Sequence, residues 1–374
     1  MLILAAVMAI FVYGLIAAML GTILPDLSKR FTLSPKQNGN IAMAQGIGLM
    51  IGSFCMGPLV DVQGKKTGLL LALALIAAAL SGLRSAKGYS MIAGSMLLLG
   101  MGGGGLVTSA FALAADIRIE SLTTSGVFNL LNLFFGLGGL VTPLLAARLF
   151  DNNSARLTVF AASLAVLTWL VHAMTPMAPP SGEVAFDVSK VGQLLGNPAL
   201  LLLAAFLFLY VAAEVGVWNW LARHLIAQGV PEKNAITILS LGFALGILLG
   251  RVAVAPVLSS VSPERVLLGA AAFMAVTTFA MLQAGSPGLA WFAVFLGGLA
   301  MAPVFPTTLA VVGGKFPDTA ATATGIATTA GWLGLVVSSP IIGGIAGEDP
   351  KRLKTALLVL PAFSALMVLI ALAI

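Results

Sequence analysis

Gly57-Pro58-Leu59-Val60-Asp61-Val62-Gln63-Gly64-Lys65-Lys66 places one acid, two bases and two glycines between long apolar runs. Each residue type has a physical use there. Gly57 permits close approach of a second helix, and Gly64 permits a tight turn. Lys65 and Lys66 favour anionic headgroups at a membrane surface. Asp61 suits the positive N-terminal end of another helix. The flanking runs make the setting a membrane. Only 9% of the 374 residues are charged and 59% are hydrophobic, against roughly 25% charged in soluble domains. The mean hydropathy is +1.07. Thirty-two charges cannot solvate a soluble protein of this length, so the chain reads as a polytopic all-α membrane protein.

A span needs about 20 apolar residues. Cutting at charges, prolines and polar clusters gives twelve: 2–24, 38–60, 67–84, 89–115, 122–148, 155–175, 198–222, 234–258, 264–284, 288–313, 320–345 and 353–373. The first run lacks a basic leader and reads as a span, not a cleaved signal peptide. The quoted stretch therefore joins spans 2 and 3. A polar segment, 176–197, separates residues 1–175 from 198–374, with Pro176, Pro179, Pro180, Ser181, Gly182, Glu183, Asp187 and Lys190 marking it as a linker. The two six-span halves repeat at a near-constant offset. Tyr13 and Pro143 recur as Tyr210 and Pro340 at 197 residues, and Pro35, Asn38 and Gly46 recur as Pro231, Asn234 and Gly242 at 196. Paired repeats of this kind build secondary transporters.

The net charge is +6, but the bases never form a stripe, which argues against nucleic acid. Cys55 is the one cysteine, so no metal cluster or disulfide framework arises. The run Gly102-Gly103-Gly104-Gly105 lies mid-span, with no strand before it and no lysine after it, and is not a nucleotide loop. Nothing points to an enzyme, a metal or a cofactor.

The opening stretch resembles the G-x-L-x-D-x-x-G-[RK]-[RK] signature of the major facilitator superfamily, at the place that superfamily carries it. The resemblance implies twelve helices in two pseudo-symmetric six-helix halves, a monomer, and a cell-membrane location with both termini cytoplasmic. It also implies that Asp61 meets the helix beginning near Thr319, after Pro317-Asp318, latching the cytoplasmic side. Gly57, Asp61, Gly64, Lys65 and Lys66 are then gating residues. The lysine and arginine count opposes that orientation. Lys65, Lys66, Arg118, Lys190, Arg251, Arg265 and Lys315 fall inside, and the other 12 of the 19 fall outside, the reverse of the usual bias.

Further stretches resemble the fucose-permease-like branch, whose members mostly import sugars with a proton or with sodium. These are Asn129-Leu130-Leu131-Asn132 leading to Phe134-Phe135-Gly136-Leu137-Gly138, then Tyr210 to Gly216 followed by Trp218 and Trp220. Gly250-Arg251, Pro263-Glu264-Arg265 and Ala302-Pro303-Val304-Phe305-Pro306 also fit. Acids that the fucose permeases carry in helices 1 and 4 are absent; this chain reads Met19 to Pro25 and Leu106 to Ser109 there. Their proton-coupling scheme cannot be transferred. The alternative reading is an exporter of a metabolite or drug by proton antiport, although the G-P-x-x-G-G ending of helix 5 is missing around Pro143.

Charge scarcity selects the candidate site. Glu214 lies near the middle of the seventh span, where charge is costly. Tyr210 and Trp218 stand four residues to either side, on the same helical face. A carboxylate between aromatic rings suits a hydroxylated solute or a cation, and a carboxyl so placed can carry the coupled ion, H⁺ or Na⁺. Its counterpart in the first repeat is Ala17, so the fold does not impose the acid. Arg251, deep in the eighth span, reads as neutralising an anionic solute or holding an inner gate through an acid such as Asp116. Asn129 and Asn132 share a face with Phe135 and are candidate hydroxyl ligands, as are Gln45 and Tyr13.

Overall fold

In the computed structural model the described residues are 1–151, 153–179, 188–347 and 352–374. Among them the regular structure is helical. The helices are α1 Leu2–Phe31, α2 Pro35–Gln63, α3 Lys65–Arg84, α4 Tyr89–Ala114, α5 Thr124–Leu149, α6 Ser154–Met174, α7 Val188–Leu195 and α8 Pro198–Ala227. Then come α9 Glu232–Thr237, a π-helical turn Ile238–Phe243, α10 Ala244–Val257, α11 Pro263–Gln283, α12 Pro287–Met301 and α13 Val304–Lys315. The last are α14 Ala320–Ala346, α15 Leu353–Leu357 and α16 Val359–Ala371.

The helix starts follow local chemistry. Ser34 and Gln37 form a reciprocal capping box at α2, the Asn197 side chain accepts from Ala199 and Leu200 N–H at α8, and proline opens α8, α11 and α12 where an N–H is not needed. Gly64 ends α2 at φ 88° and starts α3 in the next residue, the left-handed backbone that the turn between two lysine-flanked helices requires.

Eleven helices among the described residues are long and apolar enough to cross a membrane. The expected eighth span, 234–258, is helical from 232 to 257 as α9, the π turn and α10, and Leu241–Val257 within it is a shorter apolar helix. The tenth bends at Ala302-Pro303, between α12 and α13, and the last at Leu358. Proline lacks the N–H that would continue the first of these helices. The linker differs from expectation as well. Residues 188–195 within it form α7, while Pro180, Ser181, Gly182, Glu183 and Asp187 lie outside the described residues.

The chain divides into two compact units. One comprises Met1–Arg118, Leu131–Gly196 and Gly313–Thr329; the other comprises Ile119–Leu130, Asn197–Val312 and Ala330–Ile374. Each unit therefore takes a short helix end from the other sequence half.

Within the first unit α2 and α4 touch backbone to backbone. A Cβ on Gly48 would strike the Leu97 carbonyl, one on Gly52 the Met101 carbonyl, and one on Gly104 the Leu49 carbonyl. Within the second, Gly246 meets the Phe295 carbonyl and Gly298 the Phe243 carbonyl. Gly48 with Leu97 and Gly246 with Phe295 are the same contact displaced by 198 residues. A second pair repeats likewise. Thr142 donates to the Leu15 carbonyl at 3.2 Å in one unit, and Ser338 to the Ala212 carbonyl at 2.6 Å in the other. The pseudo-symmetry is therefore carried by small residues at helix crossings, as lipid-embedded packing requires.

Gly52→Val tests this packing. The Met101 backbone cannot swing aside, so the variant is expected to lose about 1–3 kcal/mol or more and to melt several degrees lower in detergent. Gly94→Ala, where no atom lies within 4 Å of the added carbon, should melt with wild type.

Candidate functional site

Helix α8 brings Tyr210, Glu214 and Trp218 together as their four-residue spacing dictates. The Tyr210 hydroxyl and the Trp218 indole N–H both donate to the Glu214 carboxyl. Tyr210 is sealed at 1% exposure, Glu214 is half-buried and Trp218 is 37% exposed. Phe243, the last residue of the π turn, packs edge-on against Trp218 with ring centroids 5.1 Å apart. π turns recur where a helix must re-aim side chains.

The fourth member comes from α10. Arg251 is 3% exposed, and its charge acts on both Glu214 and Tyr210. Gly246 and Gly250 on the same helix lie against the α12 backbone, which holds α10 close to its neighbour and fixes where Arg251 projects. The cluster combines an anion, a cation, two polar donors and two aromatic faces. It can hold hydroxyls and a ring, and it can exchange a proton or a charge partner. Charge is costly inside a span, so the retention of Glu214 and Arg251 there needs a reason beyond stability.

In the first unit the Asp116 carboxylate pairs with Lys65 Nζ at 2.5 Å. The expectation that Arg251 holds an inner gate through an acid such as Asp116 involves residues of the two different units. Lys66 Nζ donates to the carbonyls of Ala173 at 2.6 Å and Thr175 at 3.2 Å, capping the end of α6. Both lysines, read from sequence as headgroup anchors, are spent on protein partners.

Asp61 sits at the N-terminus of α14. It accepts from Ala321 N at 3.1 Å, Thr322 N at 2.8 Å and the Thr322 hydroxyl at 2.5 Å. Gly57 makes the approach feasible, since a Cβ there would lie 2.6 Å from the Ala321 carbonyl oxygen. One turn on, Gly325 faces the Ser53 carbonyl, and Thr329 donates to Met50 O at 3.3 Å. First-repeat residues thus cap a second-repeat helix inside one compact unit.

The remaining candidates separate. Asn129 is fully buried and donates to Thr307 Oγ1 and Ser125 O, both at 2.9 Å, so its amide ties α5 to α13 in the second unit. Asn132 belongs to the first unit, where it is buried. Phe135 in that unit stacks on Tyr13 with centroids 5.0 Å apart, and Gln45 is 8% exposed. Asn129, Asn132 and Phe135 all lie on α5, whose residues divide between the two units after Leu130. Thr307 and Phe243 were not singled out from sequence. Thr307 carries a faint signal, as a polar residue after Pro306 in an apolar helix; Phe243 carries none. Exchange of Asn129 for Leu leaves the Thr307 hydroxyl without this donor, and a loss of about 1–3 kcal/mol should appear as a lower unfolding temperature. Asn129→Leu with Thr307→Val should recover most of it.

Comparison with known proteins completes the picture. The sequence profile described as Major Facilitator Superfamily matches residues 6–339. The glucose/mannose transporter GlcP of Bacillus subtilis is 27% identical over 316 residues, covering 80% of this chain and 76% of its own. A gallate transporter of Pseudomonas putida is 27% identical over 192 residues, 48% of this chain and 42% of its own. Among solved structures, the transporter FucP in the outward conformation superposes with TM-score 0.84 at 19% identity, over 99% of this chain and 98% of that one. The human organic anion transporter MFSD10 gives 0.78 at 16% identity, with the same coverage. With a profile spanning nearly its full length and a fold shared throughout with those structures, the chain belongs to the Major Facilitator Superfamily and is a multi-pass membrane protein.

Proposed function

We propose that this protein is a secondary transporter that moves a small hydroxylated solute of the sugar class, coupled to H⁺ or Na⁺, by alternating access. The observation that carries the reading is the α8 cluster: a half-buried Glu214 bonded by Tyr210 and Trp218. A carboxylate that accepts hydroxyl hydrogen bonds, beside an aromatic face for the C–H side of a ring, is how a polar ring is held in an apolar wall. Kinship with a glucose/mannose transporter supports the solute class. Gln45, Tyr13, Asn132 and Asn129 are the further solute-facing candidates, and Glu214 is the coupling residue. The halves 1–175 and 198–374 would move against each other, joined by 176–197. Gly57, Asp61, Gly64, Lys65, Lys66, Arg251 and Asp116 would govern closure in a monomer of the cell membrane with both termini cytoplasmic.

The test is uptake by purified protein in liposomes, across a panel of hexoses, pentoses and their acids, under imposed proton or sodium gradients. Accumulation of a sugar-class solute above its external concentration, collapsing with the ion gradient, is the expected outcome. Accumulation only of lipophilic cations or drugs, or uptake indifferent to any gradient, would overturn it.

A further inference from the structure

We propose that a groove between α3 and α6 binds one anionic phospholipid, whose phosphate pairs with Arg84 and whose acyl chain lies along the groove. The inference stands apart from the transport reading and uses none of the α8 cluster.

The groove has a volume of about 490 Å³ and is lined by Ala77, Ser81 and Arg84 of α3 and by Thr158, Ala162 and Ser163 of α6. Sites for small molecules span roughly 300–1,000 Å³, and all six residues belong to the first compact unit. Their spacing explains the furrow. Ala77, Ser81 and Arg84 stand three or four residues apart and share one face of α3, as Thr158 and Ala162 share one face of α6. Small side chains along both faces leave unfilled the space that bulkier ones would pack. From Ala77 to Arg84 the groove runs about 10 Å along the helix axis. A leaflet is about 15 Å deep from its surface to the midplane, so the groove lies within one leaflet and follows the direction of its chains. The Ser81 hydroxyl donates to Ala77 O at 2.8 Å and the Thr158 hydroxyl to Ser154 O at 2.6 Å. Each is satisfied by its own helix, so these hydroxyls do not oppose an apolar chain.

The two ends of the α3–α6 pair differ. At one end Lys66 Nζ donates to the carbonyls of Ala173 and Thr175 and ties the helices together. At the other, Arg84 lies exposed in the last turn of α3, and among the described residues no acid pairs with it. The acids at this end of the first unit have other partners. Asp151 pairs with Arg156 at 2.9 Å, and Asp26 accepts from Ser154 N at 3.0 Å. A guanidinium therefore stands available at the mouth of an apolar groove, and its forked donors fit a phosphate in two parallel hydrogen bonds.

The surrounding charge selects an anionic headgroup. Basic residues that run against the usual orientation bias gather at this end: Lys29, Arg30, Arg84, Lys87, Arg148 and Arg156, against Asp26 and Asp151. A zwitterionic headgroup brings its own cation into that field, whereas phosphatidylglycerol brings only the phosphate charge. A lipid held there joins α3 to α6 at the end that Lys66 does not reach.

The experiment follows lipid binding to the full chain, stripped of lipid in a non-ionic detergent. Native mass spectrometry and melting temperature are read with dioleoyl phosphatidylglycerol and with dioleoyl phosphatidylcholine. Phosphatidylglycerol should bind about fivefold more tightly, the size of effect expected of one basic residue near an anionic headgroup, and should raise the melting temperature further. Arg84→Gln should abolish that preference. Lys29→Gln, which removes an exposed base outside the groove, should keep it. Ala162→Phe should obstruct the groove and weaken binding of both lipids. That variant can fold poorly, so the decision rests on Arg84→Gln, where the side chain is exposed and makes no ion pair. Equal affinity of wild type for the two lipids overturns the inference, as does an equal loss in Arg84→Gln and Lys29→Gln. A dimer that Ala162→Phe dissociates would assign the groove to a second copy of the chain and overturn it as well.

Discussion

Glu214→Gln is expected to be the most damaging conservative change in the chain. Glutamine keeps the length and one acceptor, so it can still accept from Tyr210 and Trp218. It can neither hold a proton nor compensate Arg251. Hydrogen bonds to a charged acceptor such as this carboxylate are worth about 1.5–3 kcal/mol each, and the partial exposure of Glu214 argues for the lower end. Gradient-driven accumulation should fall by roughly two orders of magnitude or more, as a tenfold change per 1.4 kcal/mol implies, and thermal stability should fall by several degrees. The double variant Glu214→Gln, Arg251→Gln separates the two losses. With both charges gone its stability should return toward wild type, since apolar or neutral replacements of buried ion pairs are often tolerated, but transport should not. A single variant as stable as wild type would mean that Arg251 does not depend on Glu214.

The reasons this cluster was half-legible are physical. Spacing on one helix is fixed by backbone geometry, so Tyr210, Glu214 and Trp218 could be placed on a common face from their numbers alone. Scarcity of charge in lipid then singled out Glu214 and Arg251 separately. Their association is tertiary, and no local rule brings α8 to α10; the available hint was that in-span charges of opposite sign usually find each other. The eighth span was legible in position and not in its internal geometry. Hydropathy sees apolar length and is blind to a π turn, here the one that ends at Phe243 against Trp218. The asparagines pose a different problem. Asn129 and Asn132 do lie at helical spacing, but which neighbour claims each depends on packing units that cut across α5 between Leu130 and Leu131. By contrast Asp61 was readable down to its partner, because a carboxylate beside Gly57 and a helix start after Pro317-Asp318 have complementary local chemistry. The repeat offset was readable too, and it reappears at the glycine crossings, where substitution is sterically blocked.

Asp61→Asn probes the latch with the next largest expected effect. Three donors converge on this carboxylate: two backbone N–H groups of the first turn of α14, and the Thr322 hydroxyl. Asparagine retains one acceptor oxygen, but its amide nitrogen turns a donor toward a helix end that already bristles with donors. The lost charge forfeits an attraction to the helix N-terminus of about 0.3–2 kcal/mol, and each weakened charge-assisted bond forfeits about as much again. A net change near 2 kcal/mol corresponds to roughly a thirtyfold change in the ratio of closed to open forms. The consequence is readable by cysteine labelling. In a Cys55→Ser background, Ser53→Cys reports on the contact directly, because Ser53 is fully buried and its carbonyl faces Gly325. Labelling by a membrane-impermeant maleimide should accelerate by about that factor in the Asp61→Asn form. Thr322→Val removes the hydroxyl but leaves both backbone donors, so it should move the rate in the same direction by less. Equal labelling rates in all three would mean that the α14 contact persists throughout the cycle and is part of the static scaffold. The latch would then have to be sought elsewhere, with the Lys65–Asp116 pair on the next helix the first place to look.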